Sequence, residues 1–380
     1  MKRIGHIYEK IKSEENIRQA IFTAAKGKTY RAAVKTVLAD VDKHVGLIKD
    51  MLENKTYTPC EVKERDVIEG ARRKKRHITT IAFFPDQIIH WCVIRQLQPY
   101  FIKWSYPLSC GSMPLRGSHY AKKFIGRWLR HDPGKTRYCA KLDISHFYPS
   151  VPHSVVMETL KRKFKDKDLL ELLEKIIGHW HLTTSFDGDD IGIPIGFLTS
   201  QWLANFILTP VDHVIKQKAR IPYYVRYMAD MILFGADTGI LRRAVRHIVA
   251  ELWNRGMRIK KNWQIFKTDS RPVDVLGFRF YRGYTTLRKA LMLRISRKAS
   301  AVKHKYAPTL EQARSIMSYM GWIRHSDSYK FFKTRIEPFI NIKRARKIIS
   351  KGDRNESLPL GIGNKTRTSR YNLKSYHSIC

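Results

Sequence analysis

Acidic residues are scarce in this chain of 380 residues: 33 Asp and Glu face 72 Lys and Arg, giving a formal net charge of +39. Self-repulsion of that size opposes compaction unless a polyanion binds. The composition therefore favours a nucleic-acid partner, with an acidic protein or a membrane surface as the alternatives. Charge alone indicates nothing about catalysis.

Cysteine is also scarce, and long apolar runs are missing. The five cysteines are scattered and contain no Cys-x-x-Cys pair, which argues against a disulfide framework or zinc site and for a reducing compartment. No apolar run approaches about 18 residues, so the sequence predicts no membrane span. The first residues lead into charged sequence rather than an apolar signal core. We therefore expect a cytoplasmic protein.

Helical and strand-like patterns alternate along the chain, which predicts an α+β fold. The helical stretches are residues 30–52, 85–97, 155–177, 200–217, 240–255 and 296–350. The strand-like runs are residues 78–81, 138–144, 223–235, 273–281 and 286–295. Helical ends are expected before Pro99 and at Gly256, because proline disrupts a helix interior and glycine is typical of a C-terminal cap.

The most informative stretch is Tyr-Met-Ala-Asp at residues 227–230. Short apolar, β-branched and aromatic runs flank it, which is the pattern of two strands joined by a turn. A carboxylate at such a tip can hold a divalent ion only beside a second acid. Asp143, at the end of the strand-like run 138–142, is the best candidate for that acid.

Together these residues resemble the catalytic core of reverse transcriptases. Those enzymes carry Tyr-x-Asp-Asp in a hairpin and an Asp in Leu-Asp-Ile-x-x-Phe-Tyr-Pro-Ser-Val, which is present at residues 142–151. The resemblance implies a right-hand polymerase with fingers, a palm built on a split β-α-β sheet and a helical thumb. It also implies two Mg²⁺ ions and a dNTP substrate, with Asp143, Asp230 and the backbone carbonyl of Ile144 as metal ligands.

Ala229 stands where the resembling enzymes carry the first Asp of the pair. It offers no side-chain oxygen to a metal, so we expect little or no polymerisation. Two explanations stay open: a substitution introduced to trap a complex, or a natural inactive polymerase retained for binding. Binding of template and nucleotide is expected to survive in either case, because the basic residues are untouched.

By the same resemblance, three residues approach the incoming nucleotide. Tyr148 falls at the steric gate that selects dNTP over rNTP, with core packing as the alternative. Arg76 lies in the basic run 72–77, which is either a solvated loop or the fingers segment that contacts triphosphate and template. Arg116, in the segment 110–118, resembles the Arg of Gly-Phe-Arg-x-Gly-x-Ser and lies either near the triphosphate or on the surface.

Residues 195–201 read Ile-Gly-Phe-Leu-Thr-Ser-Gln, where retroviral and group II intron enzymes carry Gln-Gly-x-x-x-Ser-Pro. A motif that begins with Ile195 and Gly196 and ends with Gln201 resembles the reverse transcriptases of diversity-generating retroelements. Gly196 permits close backbone approach to the nucleotide. Ile195 removes a polar restraint near the base, unless it is only a core residue. A looser pocket is consistent with that family's misincorporation opposite template adenine.

Two further segments resemble motifs of the family. Lys260 and Lys261 match the motif-D lysine, a candidate general acid toward pyrophosphate. The alternative is an ordinary lysine at a helix end, and the sequence does not choose between Lys260 and Lys261. Trp263 departs from the motif. The Gly277 region resembles the hairpin that grips the primer, where backbone can approach the primer strand.

The predicted domains follow from these motifs. They are an N-terminal helical segment (1–60), fingers (61–137), palm (138–284, with finger helices within 155–218), thumb (285–345) and a basic C-terminal tail (346–380).

The resemblance implies an RNA-directed DNA polymerase that copies a template-repeat RNA into adenine-mutagenised cDNA. The implied partners are template RNA, the cDNA or primer, and an oligomeric accessory variability protein, with no membrane. The alternatives are a retron or group II intron type of enzyme, and a non-catalytic RNA-binding protein on a reverse transcriptase fold.

Overall fold

The structure is a computed structural model that describes residues 3–69, 74–302 and 308–356. It divides into two compact units, Met1–Ala290 and Leu291–Cys380. Helices and strands are both abundant, which confirms the predicted α+β class. Residues 72–73 of the predicted basic run, and the predicted tail from residue 357 onward, lie outside the described residues. In the described part of the chain, no helix combines the length and apolarity needed to cross a membrane.

Four helices open the first unit. They are α1 (Tyr8–Ile11), α2 (Glu14–Ala25), α3 (Ala32–Ala39) and α4 (Val41–Glu53). The prediction of one helix over residues 30–52 is wrong, because α3 and α4 are separated at Asp40. The Asp40 side chain accepts a hydrogen bond from the backbone N–H of Lys43 at 3.1 Å and so caps α4. A short acidic side chain favours such a cap over the helix interior.

An antiparallel hairpin and two helices follow. They are β1 (Lys63–Glu69), β2 (Lys74–Thr80), α5 (Ile88–Trp104) and α6 (Ser118–His131). The predicted end of α5 before Pro99 is wrong, because the helix runs on to Trp104. Leu97 and Phe101 flank the proline and are 0% and 1% exposed. Their packing outweighs the hydrogen bond that a proline removes from a helix interior.

The middle of the first unit alternates strands with helices. In chain order these are β3 (Tyr138–Asp143), α7 (His153–Lys161), α8 (Lys167–Gly178), β4 (Thr183–Thr184), β5 (Asp190–Ile191), α9 (Leu198–Ile207), α10 (Thr209–His213), β6 (Tyr223–Tyr227), β7 (Asp230–Gly235), α11 (Thr238–Trp253) and β8 (Gln264–Lys267). The predicted helices over 155–177 and 200–217 are each divided. Asp166 caps α8 by accepting from the Leu169 N–H at 3.3 Å, and Pro210 lies in the first turn of α10.

A four-stranded antiparallel sheet with strand order β6-β7-β3-β8 forms the centre of this unit. On one face, Ala140, Leu142 and the opposing Met231 join the hydrophobic core together with the apolar side of α11. Neighbouring strand positions point to opposite faces. Lys141 and Asp143 therefore lie on the other face of the sheet, as a palm-like arrangement requires.

Three short strands form a separate antiparallel sheet, β11-β10-β9. Their bounds are β9 (Val273–Val275), β10 (Phe278–Phe280) and β11 (Thr285–Leu287). The prediction of a strand over 286–295 is wrong beyond Leu287, because α12 (Lys289–Ser300) begins there. Leu291, Leu293 and Ile295 alternate like a strand, but the buried positions of α12 are Ile295 and Ala299, spaced as on one helix face.

The described part of the second unit is helical, as predicted for residues 296–350. After α12 come α13 (Leu310–Arg324), α14 (Tyr329–Arg335) and α15 (Ile342–Glu356). The Thr309 side chain and Gln312 form a reciprocal capping box at the start of α13. Gly352 of α15 packs on Leu310, where a Cβ would come within 2.5 Å of a leucine methyl group.

A buried polar network supports the β6–β7 hairpin from behind. Arg226, 0% exposed, donates from Nε and Nη2 to the two carboxylate oxygens of Asp212 at 2.8 and 2.7 Å. Its Nη1 donates to Asn205 Oδ1 at 2.9 Å, and Tyr224 Oη donates to Asp212 at 2.8 Å. We call these four residues the Arg226 network. It fixes β6 to α9 and α10 through a bidentate ion pair, the strongest geometry available to arginine.

We expect Arg226→Met to lower the free energy of unfolding of the full chain by about 3–5 kcal/mol, because the mutation leaves the Asp212 carboxylate buried without its partner. Urea unfolding followed by far-UV circular dichroism measures the loss. Arg255→Met, which breaks a partly exposed helical pair with Glu251, is the control and should cost about 1 kcal/mol or less.

The double variant Arg226→Met/Asp212→Leu should recover much of that loss, since an apolar pair needs no compensating charge. Equal losses for Arg226→Met and the Arg255 control would contradict the importance of the network.

Candidate active site

The ends of β3 and β7 bring two carboxylates together. Asp143 is the last residue of β3, Asp230 is the first residue of β7, and the two are direct partners in the antiparallel register. Directly opposed residues lie on one face with Cβ atoms about 4.5–5.5 Å apart. Asp143 and residues 227–230 therefore meet on one face, as the sequence predicted. The role of the pair in binding metal stays a prediction.

The turn between β6 and β7 presents Ala229 at this place. Met228 precedes it with φ +53°, a left-handed conformation that tightens the turn. The Ile144 N–H donates to the Ala229 carbonyl at 3.3 Å, which ties the turn to the residue after Asp143. The side chain at 229 is a methyl group, so this position adds no ligand atom.

Burial and like charge act on the Asp230 carboxylate. Burial, and then the nearby Asp143 charge, raise the pKa of Asp230 above its usual value. Lys141, Lys260 and Arg288 oppose this effect with positive charge. The site is thus a pair of acids bordered by basic side chains.

The structure distinguishes between the two motif-D lysines. The Lys260 ammonium forms an ion pair with the Asp143 carboxylate, and the Lys260 N–H donates to the Asp143 carbonyl at 2.8 Å. Lys261 is exposed. Lys260 is therefore the lysine at the site, while its action as a general acid stays a prediction.

The residues present fit only part of the predicted magnesium site. Asp143 and Asp230 supply carboxylate oxygens, the ligands that Mg²⁺ prefers. Within residues 3–69, 74–302 and 308–356, no group of three or more His, Cys, Asp or Glu side chains could hold a metal. The side chain of Ala229 supplies no carboxylate. The carbonyl of Ile144, whose residue is 1% exposed, stays a predicted ligand.

Tyr148 begins a short 3₁₀ helix just after the Asp143 strand. Burial raises the pKa of its phenol, and the positive charge of Arg76 on β2 acts in the opposite direction. The Ile193 N–H donates to the Tyr148 carbonyl at 2.9 Å, which attaches it to the segment leading to Ile195. Tyr148 thus lies near Arg76 and is joined to the segment that leads to Ile195.

Gly196 makes the close backbone approach that the sequence predicted, but its neighbour is Thr79 of β2. The Thr79 N–H donates to the Ile195 carbonyl at 2.9 Å. Gly196 has φ +133°, and a Cβ there would lie 2.0 Å from the Thr79 carbonyl oxygen. We call this contact the Gly196–Thr79 seam. The approach of Gly196 to a nucleotide stays a prediction.

Gln201 and Arg116, which were also predicted to bind the nucleotide, have different surroundings. Gln201 is exposed in the first turn of α9. The Arg116 guanidinium donates to the carbonyls of Tyr106 at 3.0 Å and Ser109 at 3.4 Å, so it organises its own loop. That loop pairs with β6, since the Cys110 N–H donates to the Arg226 carbonyl at 2.8 Å. Contact of either residue with a nucleotide stays a prediction.

Residues 63–280, more than half of the chain, match the family model described as reverse transcriptase (RNA-dependent DNA polymerase). The chain belongs to the reverse transcriptase family. With the sheet topology, this membership confirms the predicted right-hand polymerase fold.

The curated relatives of this reverse transcriptase domain are distant. Protein YkfC of Escherichia coli K12 is 26% identical over 175 residues, 45% of each chain. Retron Ec73 reverse transcriptase of Escherichia coli is 24% identical over 256 residues, 61% of this chain and 77% of that protein. Group II intron-encoded protein LtrA of Lactococcus lactis subsp. cremoris is 25% identical over 192 residues, 49% of this chain and 31% of that protein.

The chain thus spans less than half of the length of YkfC and LtrA. Among solved structures it is similar to telomerase from Candida albicans in complex with a fragment of telomeric RNA. That similarity has a TM-score of 0.48 at 12% identity, covering 78% of this chain and 58% of the other.

The residues that position this reverse transcriptase site from behind were not predicted from the sequence. Arg226, Asp212 and Asn205 carry no ligand role, yet they hold the hairpin, and Asn205 Nδ2 also donates to the Gly111 carbonyl at 2.8 Å. One signal was available: Arg226 is the lone charge inside an aromatic and β-branched strand, Tyr-Tyr-Val-Arg-Tyr. A buried charge of this kind needs a partner.

In this reverse transcriptase domain, we expect Gly196→Ala to lower the melting temperature and to release β2 from the Ile195 segment. The added methyl group would overlap the Thr79 carbonyl, and positive φ alone costs about 1–3 kcal/mol for a residue with a Cβ. Differential scanning fluorimetry measures the first effect, and hydrogen exchange at the Thr79 amide measures the second.

Gly126→Ala in α6 is the matched control, because a Cβ at Gly126 meets nothing within 4 Å. It should leave the melting temperature equal or higher, since alanine favours a helix over glycine by about 1 kcal/mol. An unchanged rate of hydrogen exchange at the Thr79 amide in Gly196→Ala would contradict the importance of the Gly196–Thr79 seam for holding β2.

Proposed function

We propose that this chain is an RNA-directed DNA polymerase whose catalytic step is disabled by Ala229. The observation that carries the proposal is the opposed pair Asp143 and Asp230 with Ala229 in the turn beside them. Family membership supports the reaction class. The net charge of +39 supports a nucleic-acid partner. Template RNA and a DNA primer or cDNA are the proposed partners, and cytoplasm is the proposed location.

The proposed reaction is nucleotide addition, in which a primer 3′-hydroxyl displaces pyrophosphate from a dNTP. Asp143, Asp230 and the Ile144 carbonyl would hold two Mg²⁺ ions, which when bound neutralise charge on the attacking and leaving oxygens. Lys260 lies against Asp143 and can deliver a proton to pyrophosphate. Tyr148 excludes a 2′-hydroxyl from the sugar site. Arg76 and Arg116 attract the triphosphate and the template backbone.

We further propose the diversity-generating retroelement type, which copies a template-repeat RNA with errors at adenine. Support comes from Ile195, which places an aliphatic side chain where other reverse transcriptases have Gln, and from the exposed Gln201. Ile195 is partly exposed and lies beside Thr79 and the Tyr148 segment. An apolar side chain there removes hydrogen-bond discrimination between bases. An oligomeric accessory variability protein and a structured RNA would complete the assembly.

A second candidate is a reverse transcriptase of the retron or group II intron type. The similarity to Retron Ec73 reverse transcriptase over 61% of this chain favours it. A third is a non-catalytic RNA-binding protein, which Ala229 favours because it removes a metal ligand. The two experiments below separate these three candidates.

Restoring the acid should restore synthesis. We expect Ala229→Asp to extend a DNA primer on an RNA template with dNTP and Mg²⁺ at least about 10³-fold faster than the chain as it stands, the factor for roughly 4 kcal/mol of transition-state stabilisation. Denaturing gels of a labelled primer measure extension.

The control is Ala229→Asp combined with Asp143→Asn, which keeps the turn and removes the opposing carboxylate. It should be as inactive as the unaltered chain. A restored protein that binds RNA and extends nothing would favour the binding-protein candidate instead.

Fidelity separates the retroelement type from the others. In the Ala229→Asp background, we expect frequent misincorporation opposite template adenine and few errors opposite the other bases. Ile195→Gln should lower the adenine error rate several-fold, because the amide restores a polar restraint near the base. Sequencing of cDNA made from a template with all four bases measures both rates.

Leu198→Met, a volume-conserving change in the same segment, is the control and should leave the error rate unchanged. Uniform accuracy at all four template bases would contradict the retroelement type.

A further inference from the structure

The outer side of α11 carries a basic stripe that faces solvent. Arg242, Arg246, Val249 and Trp253 recur at spacings of three and four residues and share one side of the helix. The two arginines are exposed, Val249 is 38% exposed and Trp253 is 61% exposed. At about 1.5 Å per residue the stripe is roughly 17 Å long. Together with Arg258 we call it the α11 face.

Arg258 completes the stripe beyond the end of the helix. Its guanidinium carbon lies 4.6 Å from the centroid of the Trp253 ring. This is a cation–π contact between two exposed side chains. It leaves an aromatic surface and a positive charge at one place, an arrangement that proteins use to stack and neutralise an unpaired nucleotide.

The arginines of α11 are not neutralised by acidic side chains within the described part of the chain. In the described part of the chain, no acidic side chain forms an ion pair with Arg242, Arg246 or the neighbouring Arg243. Glu251, the acid within α11, pairs instead with Arg255 at 2.9 Å. Free guanidinium groups in a row attract a polyanion and release its counterions.

The helical part of the α11 face lies on the opposite side of the sheet from the two carboxylates, whereas the Arg258 carbonyl accepts from the Ser145 N–H at 2.7 Å, near the end of β3. The apolar side of α11 joins the core with Leu142 and Met231. Asp143 lies on the other face, shared with Phe234, which contacts Trp128 of α6 at 6.3 Å between ring centroids. The outer side of α11 therefore faces away from Asp143.

We propose that the α11 face is a second RNA-binding surface, separate from the catalytic face. It contacts the phosphates of a folded RNA through Arg242, Arg246 and Arg258, and it stacks one unpaired base on Trp253. Charge complementarity favours RNA over a protein partner, and the exposed ring favours an RNA with a loop or bulge. This inference goes beyond the proposed polymerase, because it requires neither metal nor primer.

The test uses the full chain and a fluorescein-labelled RNA hairpin with a single-stranded loop. Fluorescence anisotropy gives the affinity at several salt concentrations. We expect Arg242→Ala/Arg246→Ala/Arg258→Ala to weaken binding at least about tenfold and to reduce the slope of log affinity against log salt by about two to three. Alanine keeps the helix intact, and circular dichroism checks the fold.

The matched control removes the same charge elsewhere. Lys26→Ala/Lys35→Ala/Lys43→Ala changes three exposed lysines of the N-terminal helical region. It should weaken binding less than about threefold. Equal losses in the two triple variants would overturn the proposal, because binding would then depend on total charge alone.

Trp253→Ala tests the stacking step separately. We expect about tenfold weaker binding to the looped hairpin and unchanged binding to a fully paired RNA of the same length. An equal loss of affinity for the looped hairpin and for the fully paired RNA would overturn the proposal that Trp253 stacks on an unpaired base.

Primer extension in the Ala229→Asp background on a short primer–template should be unchanged by the arginine triple variant and by Trp253→Ala. An arginine triple variant that keeps full hairpin affinity but loses binding to an acidic protein, such as polyglutamate-tagged ubiquitin, would overturn RNA as the occupant. If no variant extends a primer, the polymerase proposal fails while the binding result still stands.

Discussion

The register between β3 and β7 is the constraint on which the rest of this molecule depends. A slip of one residue would move Asp143 to the face occupied by Leu142 and separate it from Asp230. Two features prevent that slip. Leu142 and Met231 need the buried face, and the Arg226 network anchors the hairpin to α9 and α10. Asp143 and Asp230 thus lie opposite each other because apolar burial and one buried ion pair fix the register of β3 and β7.

Much of this arrangement could be predicted from the sequence, because short apolar runs ending in a polar residue indicate strands that end at one edge. Asp143 and Asp230 were found in this way. The end of α5 at Trp104 was not predicted, because packing of Phe101 outweighs the local rule that places a helical end before Pro99. The strand predicted through Ile295 failed because alternation over a few residues also fits a helix with one buried side. Neither the end of α5 nor the conformation of residues 286–295 can be predicted without knowing which residues pack against these segments.

The site residues at the ends of strands, Asp143 and Asp230, were predictable from the sequence. The residues that other segments of the chain bring to the site were not. Lys260 and Lys261 are equivalent in sequence, and only the pairing of the Lys260 backbone with Asp143 distinguishes them. The partners of Arg226 come from another helix, so no local pattern shows them. Family membership fixes the fold. The difference between retroelement, retron and intron types rests on a few side chains such as Ile195.

The Gly196–Thr79 seam has a consequence for how such a protein can change. β2 carries Arg76, and the same strand is attached to the residue that follows Ile195. A displacement of the β1–β2 hairpin is therefore transmitted to the Ile195 segment through backbone rather than through flexible side chains. The positions of β2 and of the Ile195 segment are mechanically coupled, so a substitution that shifts one of them also shifts the other.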